Sequence, residues 1–356
     1  MLIQKMMKFC MFVFLVVVGA VIASGTDHNQ EAHKALCDLL NAAVRRWGSN
    51  GESLTEPLKS ALNHTVFGSN GVGDLEGLRK ALPKVYDEVL NQSGSRSFSC
   101  GQRLAGQASS GGVKHERWSG HSASHDLLCL CTLGDNGWPL NNTGSEKLCG
   151  KSLNELGTQK DQGWHGKGSG KPQMEAAWTN VIKECLQGDK KGTNLKNAFD
   201  DFKKTLKHTT GDEEQHGNRH ILGKGDFSDY PCSGNGQICV MYYNEAKPTG
   251  EQHPKPWWVE LEYAIKKDEA EKEQKKREEE KRKQDEINQQ KLKQQKQSQH
   301  QDVPRAAALK AANTEMQEKE PDDTQNISNP IATIEEASGT LIIPPCPWFL
   351  SAILLI

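Results

Sequence analysis

The sequence predicts a mainly α protein with long disulfide-pinned loops, followed by a charged helical or disordered stalk. Three observations carry this. Apolar residues recur at helical spacing in separate stretches of the chain, most of the cysteines lie before residue 240, and residues 266–300 are almost wholly charged or amide.

Along the chain, the first helix is predicted from about Asn29 to Trp47, where Ala32, Leu36, Leu39, Leu40, Ala43, Val44 and Trp47 share one face. Gly48 and Gly51 end it. A second stretch carries Leu75, Leu78, Leu82, Val85 and Val89, and Pro83 is expected to kink or split it. A third places Met174, Trp178, Val181, Ile182 and Cys185 together, and a fourth does so for Leu195, Phe199, Phe202 and Leu206. The intervening Gly- and Ser-rich stretches, 106–124 and 163–171, read as surface loops. Strand patterns are scarce, and 237–243 is the best short candidate.

The cysteines place the folded part. Of ten, Cys10 falls in an N-terminal apolar run and Cys346 in a C-terminal one. The remaining Cys37, Cys100, Cys129, Cys131, Cys149, Cys185, Cys232 and Cys239 form an even set, which in an oxidising compartment implies disulfides. Sequence alone does not choose among their pairings. Long loops are costly to order unless cross-linked, which gives these residues a structural role.

Pro254-Lys-Pro-Trp-Trp258 marks a boundary, with the tryptophans expected in the core. Residues 266–300 then carry 12 basic and 9 acidic side chains. Their many i,i+4 pairs, such as Glu271 with Lys275 and Glu279 with Lys283, favour a helix. Apolar heptads are missing, so a coiled coil is excluded. A solvated single helix or a tether remains, and residues 303–338 read as flexible linker.

Both ends carry targeting patterns. Basic residues up to Lys8, an apolar run from Phe9 to Ile22 and small residues at 23–25 make residues 1–25 a secretory signal peptide. The run 341–356 is too short and too proline-rich for a spanning helix, and small residues at 337–340 precede it. That order is a GPI-attachment signal, with Ser338 the preferred attachment residue, Gly339 next and Asn329 third. The reading therefore divides the chain into a signal at 1–25, a folded domain at 26–258, a stalk at 259–302, a linker at 303–338 and a removed tail at 339–356. Four sequons, at Asn63, Asn91, Asn141 and Asn326, are N-glycosylation acceptors on that route.

Chemistry-bearing patterns do not hold up. His121 and His125 lie at i,i+4 before Cys129 and Cys131, but the Glu of a zinc-peptidase helix is missing and the cysteines are better used as disulfides. Residues 163–171 miss the phosphate-loop spacing, with His165 where a glycine is needed and Pro172 where a hydroxyl is needed. No nucleophile elbow occurs. The net charge of −2 gives no nucleic-acid footprint, while the mean hydropathy of −0.70 fits a long solvated segment. No enzyme and no cofactor are expected.

Together, the signal peptide, the amphipathic first helix carrying Cys37, the Cys129-Leu-Cys131 pair, the sequons, the charged membrane-proximal segment and the GPI tail resemble a trypanosome variant surface glycoprotein. The N-terminal domain is most similar to the type B form, which implies an elongated helical hairpin or bundle. The resemblance implies a homodimeric coat protein, tethered to the membrane by its GPI lipid, that shields the cell, meets host antibodies and is exchanged in antigenic variation. The same scaffold also serves an alternative, a GPI-anchored receptor that takes up a host serum protein such as transferrin. One departure is visible: no cysteine lies between Cys239 and Cys346, so a simple charged stalk replaces a second cysteine-rich domain.

Overall fold

The computed structural model describes residues 25–68, 73–92, 95–102, 116–141, 144–157, 162–189, 194–209, 219–227, 230–243 and 254–301. Residues 1–24 of the expected signal peptide, the expected linker, Asn326, Ser338 and the C-terminal apolar run lie outside them. The chain divides into two units, Met1–Gln284 and Asp285–Ile356.

The first unit is mostly helical. In chain order it holds β1 (Asp27–His28), α1 (Gln30–Trp47), α2 (Leu58–Phe67), α3 (Leu75–Lys80), α4 (Val85–Leu90), α5 (Ser95–Gly101) and α6 (Ala123–Cys131). Then follow β2 (Lys147–Leu148), α7 (Lys171–Ala177), a π-helical turn (Trp178–Ile182), α8 (Lys183–Cys185) and α9 (Leu195–Lys204). The remainder is β3 (Lys207–His208), β4 (Arg219–Lys224), β5 (Ile238–Tyr243) and α10 (Trp257–Gln301), the last running into the second unit. Strands β3, β4 and β5 form an antiparallel sheet in that order, and β1 pairs with β2 in parallel.

The apolar face of α1 is buried along its length and packs on α9, α2 and α6. Asn29 fixes where that helix starts. Its backbone is left-handed at φ 60°, a region Asn tolerates better than most residues. Its amide donates to the carbonyls of Leu130 and Ile238, both at 2.9 Å, and its oxygen accepts from the Lys224 N–H. One side chain thus joins the entry of α1 to the end of α6 and to the sheet. Pro83 splits the second amphipathic stretch into α3 and α4, as a residue without an amide proton must. Asp74 and Asn194 cap α3 and α9 by accepting from the N–H groups of Gly77 and Asn197.

Trp164, Trp178 and Trp257 are among the largest fully buried side chains. Burying about 150–250 Å² of indole contributes roughly 4–6 kcal/mol each before entropy is counted. The Trp257 ring lies tilted against Phe202 at 5.3 Å, and Trp258 meets Tyr242 edge-on at 5.9 Å, so the first turn of α10 is core. Lys203 pairs with Glu262 at 2.8 Å and His64 with Glu260 at 2.9 Å, which ties that turn to α9 and α2.

Beyond its base α10 has no apolar face, and every side chain from Lys272 to Gln295 is exposed. Of the two readings open to the charged block, the structure is the solvated helix. Its rungs are i,i+4 pairs: Asp268 with Lys272, Glu273 with Arg277, Lys276 with Glu280, and Glu279 with Lys283. Each contributes about 0.2–0.5 kcal/mol, so their sum holds the helix rather than any one of them. A peptide of residues 266–295 should therefore be helical by circular dichroism in dilute buffer and lose helicity in about 1 M salt, where the Debye length falls to roughly 3 Å. Salt-independent helicity would assign the helix to intrinsic propensity alone.

In the second unit, residues 285–301 are helical, and Ile287 and Leu292 are exposed.

Candidate functional site

The polar chemistry of the first unit converges on α6, whose residues are all buried. Ser122 starts the helix by accepting from the His125 N–H. The side chains of His125 and Asp126 then point into the interior. His125 Nδ1 lies 2.9 Å from the Tyr86 hydroxyl, and its Nε2 lies 2.9 Å from the Ser99 carbonyl. Desolvation lowers its pKa to about 3, so the ring is neutral and uses both nitrogens in hydrogen bonds. His121 packs edge-on against Trp118 at 4.6 Å, and burial holds its pKa well below the ordinary histidine value.

The four disulfides are Cys37–Cys185, Cys100–Cys129, Cys131–Cys149 and Cys232–Cys239. This decides the chemistry around His125. Cys100, His125 and Cys129 come within ligand distance of one another, as do His33, Cys37 and Cys185. In each trio the two sulfurs are bonded to each other and offer no thiolate to a metal. His165 and Lys171 of the glycine-rich loop are likewise held locally, His165 against Asp135 and Lys171 on Asp87.

Asp126 is fully buried and accepts three hydrogen bonds. The Tyr242 hydroxyl donates at 2.9 Å, the Trp257 indole N–H at 2.7 Å and the Gly120 N–H at 3.0 Å. It links α6 to the sheet and to the root of α10. Desolvation raises its pKa to about 7, against the opposing pull of the three donors and of nearby His64. A carboxyl raised in this way stabilises the fold in full below its ordinary 3.8 and loses that contribution as pH rises through about 7. Asp126→Asn should remove that slope. The stability lead of wild type over the variant, measured by urea unfolding, should shrink between about pH 4 and about pH 8. The neutral histidines have the opposite slope, but both proteins carry them, so they cancel in the difference. A lead that does not change with pH would show that Asp126 stays ionised throughout.

Arg96, at the start of α5, is the second buried group, at 0% exposure. One terminal nitrogen donates to the carbonyls of Thr132 (3.0 Å), Leu133 (3.3 Å) and Trp164 (3.0 Å), and the other to Cys129 at 2.7 Å. Three of these carbonyls close the C-terminal end of α6, the negative pole of the helix. The guanidinium also lies 5.1 Å from the centre of the Trp164 ring. Around it the backbones of Gly134, Gly163 and Gly234 approach so closely that a Cβ at any of them would meet a neighbour. Sequence reading missed both Asp126 and Arg96. A lone acid before the apolar run Leu127-Leu-Cys-Leu-Cys131 was a usable signal, whereas Arg96 in a serine-rich stretch gave none.

This arrangement stabilises and positions; among the described residues it brings no nucleophile and base together over an open cleft. A family model described as the trypanosomal VSG domain matches residues 47–290. The chain belongs to the trypanosomal VSG family. No curated protein and no solved structure matches it. The VSG family is one of surface coat proteins, and its matched segment here spans α2 to α9, the sheet and most of α10.

The asparagines of three of the four sequons are described residues, and all three lie in the matched VSG segment. Asn91 is exposed at the C-cap of α4. Asn141 is half-buried, with its side-chain oxygen buried and without a hydrogen-bond partner among the described residues. Asn63 is half-buried within α2, and Thr65 of the same sequon is fully buried. Asn63 stands in the wall of a cleft of about 430 Å³ between α2 and the root of α10. Among the described residues no helix is long and apolar enough to cross a membrane.

Proposed function

We propose that this chain is a GPI-anchored variant surface coat glycoprotein that shields the cell membrane and supports antigenic variation and immune evasion. The observation that carries the reading is the VSG family match over residues 47–290. The mechanism is steric. Glycosylated domains packed side by side, each raised from the bilayer on its charged helix, keep large host molecules away from the lipid. Disulfides and the buried polar groups on α6 hold the core, so side chains in outward loops change the face seen by host antibodies without disturbing it. The partners on this reading are a second copy of the chain, the outer leaflet through a glycolipid on Ser338, and host antibodies; no reaction is catalysed.

Phosphatidylinositol-specific phospholipase C tests the anchor. Treated intact cells should release the protein, and its mature C-terminal peptide should end at Ser338 with an ethanolamine-linked glycan by mass spectrometry. A polypeptide retained after treatment and still containing Trp348 would overturn the proposal.

A further inference from the structure

Asn63 is an unusual place for a sequon. The sequon pattern ordinarily marks a surface loop, yet Asn63, His64 and Thr65 lie inside the ten-residue helix α2. Thr65 is 0% exposed, and its hydroxyl donates to the Ala61 carbonyl at 2.7 Å. The hydroxyl that a transferase must reach is therefore sealed once the helix has formed. An attached sugar would then need room in the finished fold, and the structure provides it. The cleft beside Asn63 is walled by Trp47, Lys59, Ser60, Pro254, Lys255 and Glu260. At about 430 Å³ it falls within the roughly 300–1,000 Å³ of small-molecule clefts. It offers an indole and a proline ring for the apolar face of a sugar, with amines, a hydroxyl and a carboxylate for its hydroxyl groups. The Trp47 indole N–H is buried and has no hydrogen-bond partner among the described residues.

We propose that Asn63 is glycosylated before α2 folds and that the first sugars of that glycan seat in this cleft, bracing α2 against the root of α10. The transfer joins Asn63 Nδ2 to the anomeric carbon of the first sugar. It breaks that carbon's bond to the diphosphate of a lipid-linked oligosaccharide and releases one amide proton. The inference rests on the secretory reading of the chain.

The test uses the full chain purified from its secretory host. Site occupancy is read by peptide mass spectrometry after glycosidase release in heavy-oxygen water, on native and on denatured protein. The expected result is an occupied Asn63 whose glycan is released at least about tenfold more slowly from native than from denatured protein, because release requires local opening of the cleft. The glycan on exposed Asn91 provides the unprotected reference. Thr65→Ser, which keeps the sequon, should retain the modification, and Thr65→Val should lose it. An empty Asn63 in a chain that carries sugar at Asn91 or Asn141 overturns the inference and leaves the secretory reading intact. A chain empty at all three sites overturns both. Equal release from native and denatured protein also overturns it, by showing that the cleft does not hold the sugar.

Discussion

Arg96→Met unfolds about 10 °C below wild type in a thermal melt followed by circular dichroism. The substitution leaves the buried carbonyls of Cys129, Thr132 and Trp164 without this donor, while the Leu133 carbonyl keeps the Trp164 N–H. Each buried acceptor left unpaired costs about 1–3 kcal/mol, and with partial relaxation the sum falls near 3–5 kcal/mol. For a domain of this size each kcal/mol moves the midpoint by about 2–4 °C. Arg96→Lys should fall between the two, because one ammonium cannot reproduce a planar fork that reaches four oxygens. Burial lowers the Arg96 pKa only to about 9, so the guanidinium is charged at neutral pH and its bonds are charge-assisted. A Met variant that melts within about 2 °C of wild type would show that water reaches those carbonyls.

The second large effect belongs to Cys37–Cys185. This bridge joins α1 to α8 across a sequence separation of 148, whereas Cys232–Cys239 spans 7. In the chain-entropy account the long loop is worth about 5 kcal/mol and the short one about 2 kcal/mol. The double substitution Cys37→Ala, Cys185→Ala should therefore lower the urea midpoint at least twice as far as Cys232→Ala, Cys239→Ala. Comparable losses from the two would mean that the unfolded chain already holds α1 near α8, or that native strain offsets the loop term.

Much of the helical frame was readable because amphipathic helices write their period into the sequence. The predicted start near Asn29 and end at Trp47 match α1, and Met174, Trp178, Val181, Ile182, Cys185, Phe199 and Phe202 are buried as their spacing implied, with Leu195 and Leu206 half-buried. Strand 237–243 became β5, and Trp257 and Trp258 are core. Other elements left no such trace. α6 is buried on every side, so it has no polar face to alternate with. α5 reads Ser95-Arg-Ser-Phe-Ser-Cys-Gly101, a poor helix by propensity that is held by Arg96 and the Cys100–Cys129 bridge. α2 was not among the predicted helices. The cysteine pairing was out of reach, since it depends on which loops meet in space.

The histidines show the same limit from the other side. His121 and His125 drew notice in sequence as a metal pattern, but the residue of consequence was their neighbour Asp126. Its role comes from Tyr242 and Trp257, more than a hundred positions away. A contact of that range leaves no periodic mark on the chain.

The close approach of Gly134, Gly163 and Gly234 has a bearing on how the surface evolves. Those loops are joined main chain to main chain: the Trp164 N–H donates to the Leu133 carbonyl and the Asp135 N–H to the Gly234 carbonyl, both at 2.8 Å. Peptide groups are common to almost every amino acid, so the joints make no demand on the exposed residues beside them, such as Lys167 and Asn235. With the glycines kept, selection can rewrite those outward positions freely while the stitching beneath stays in register.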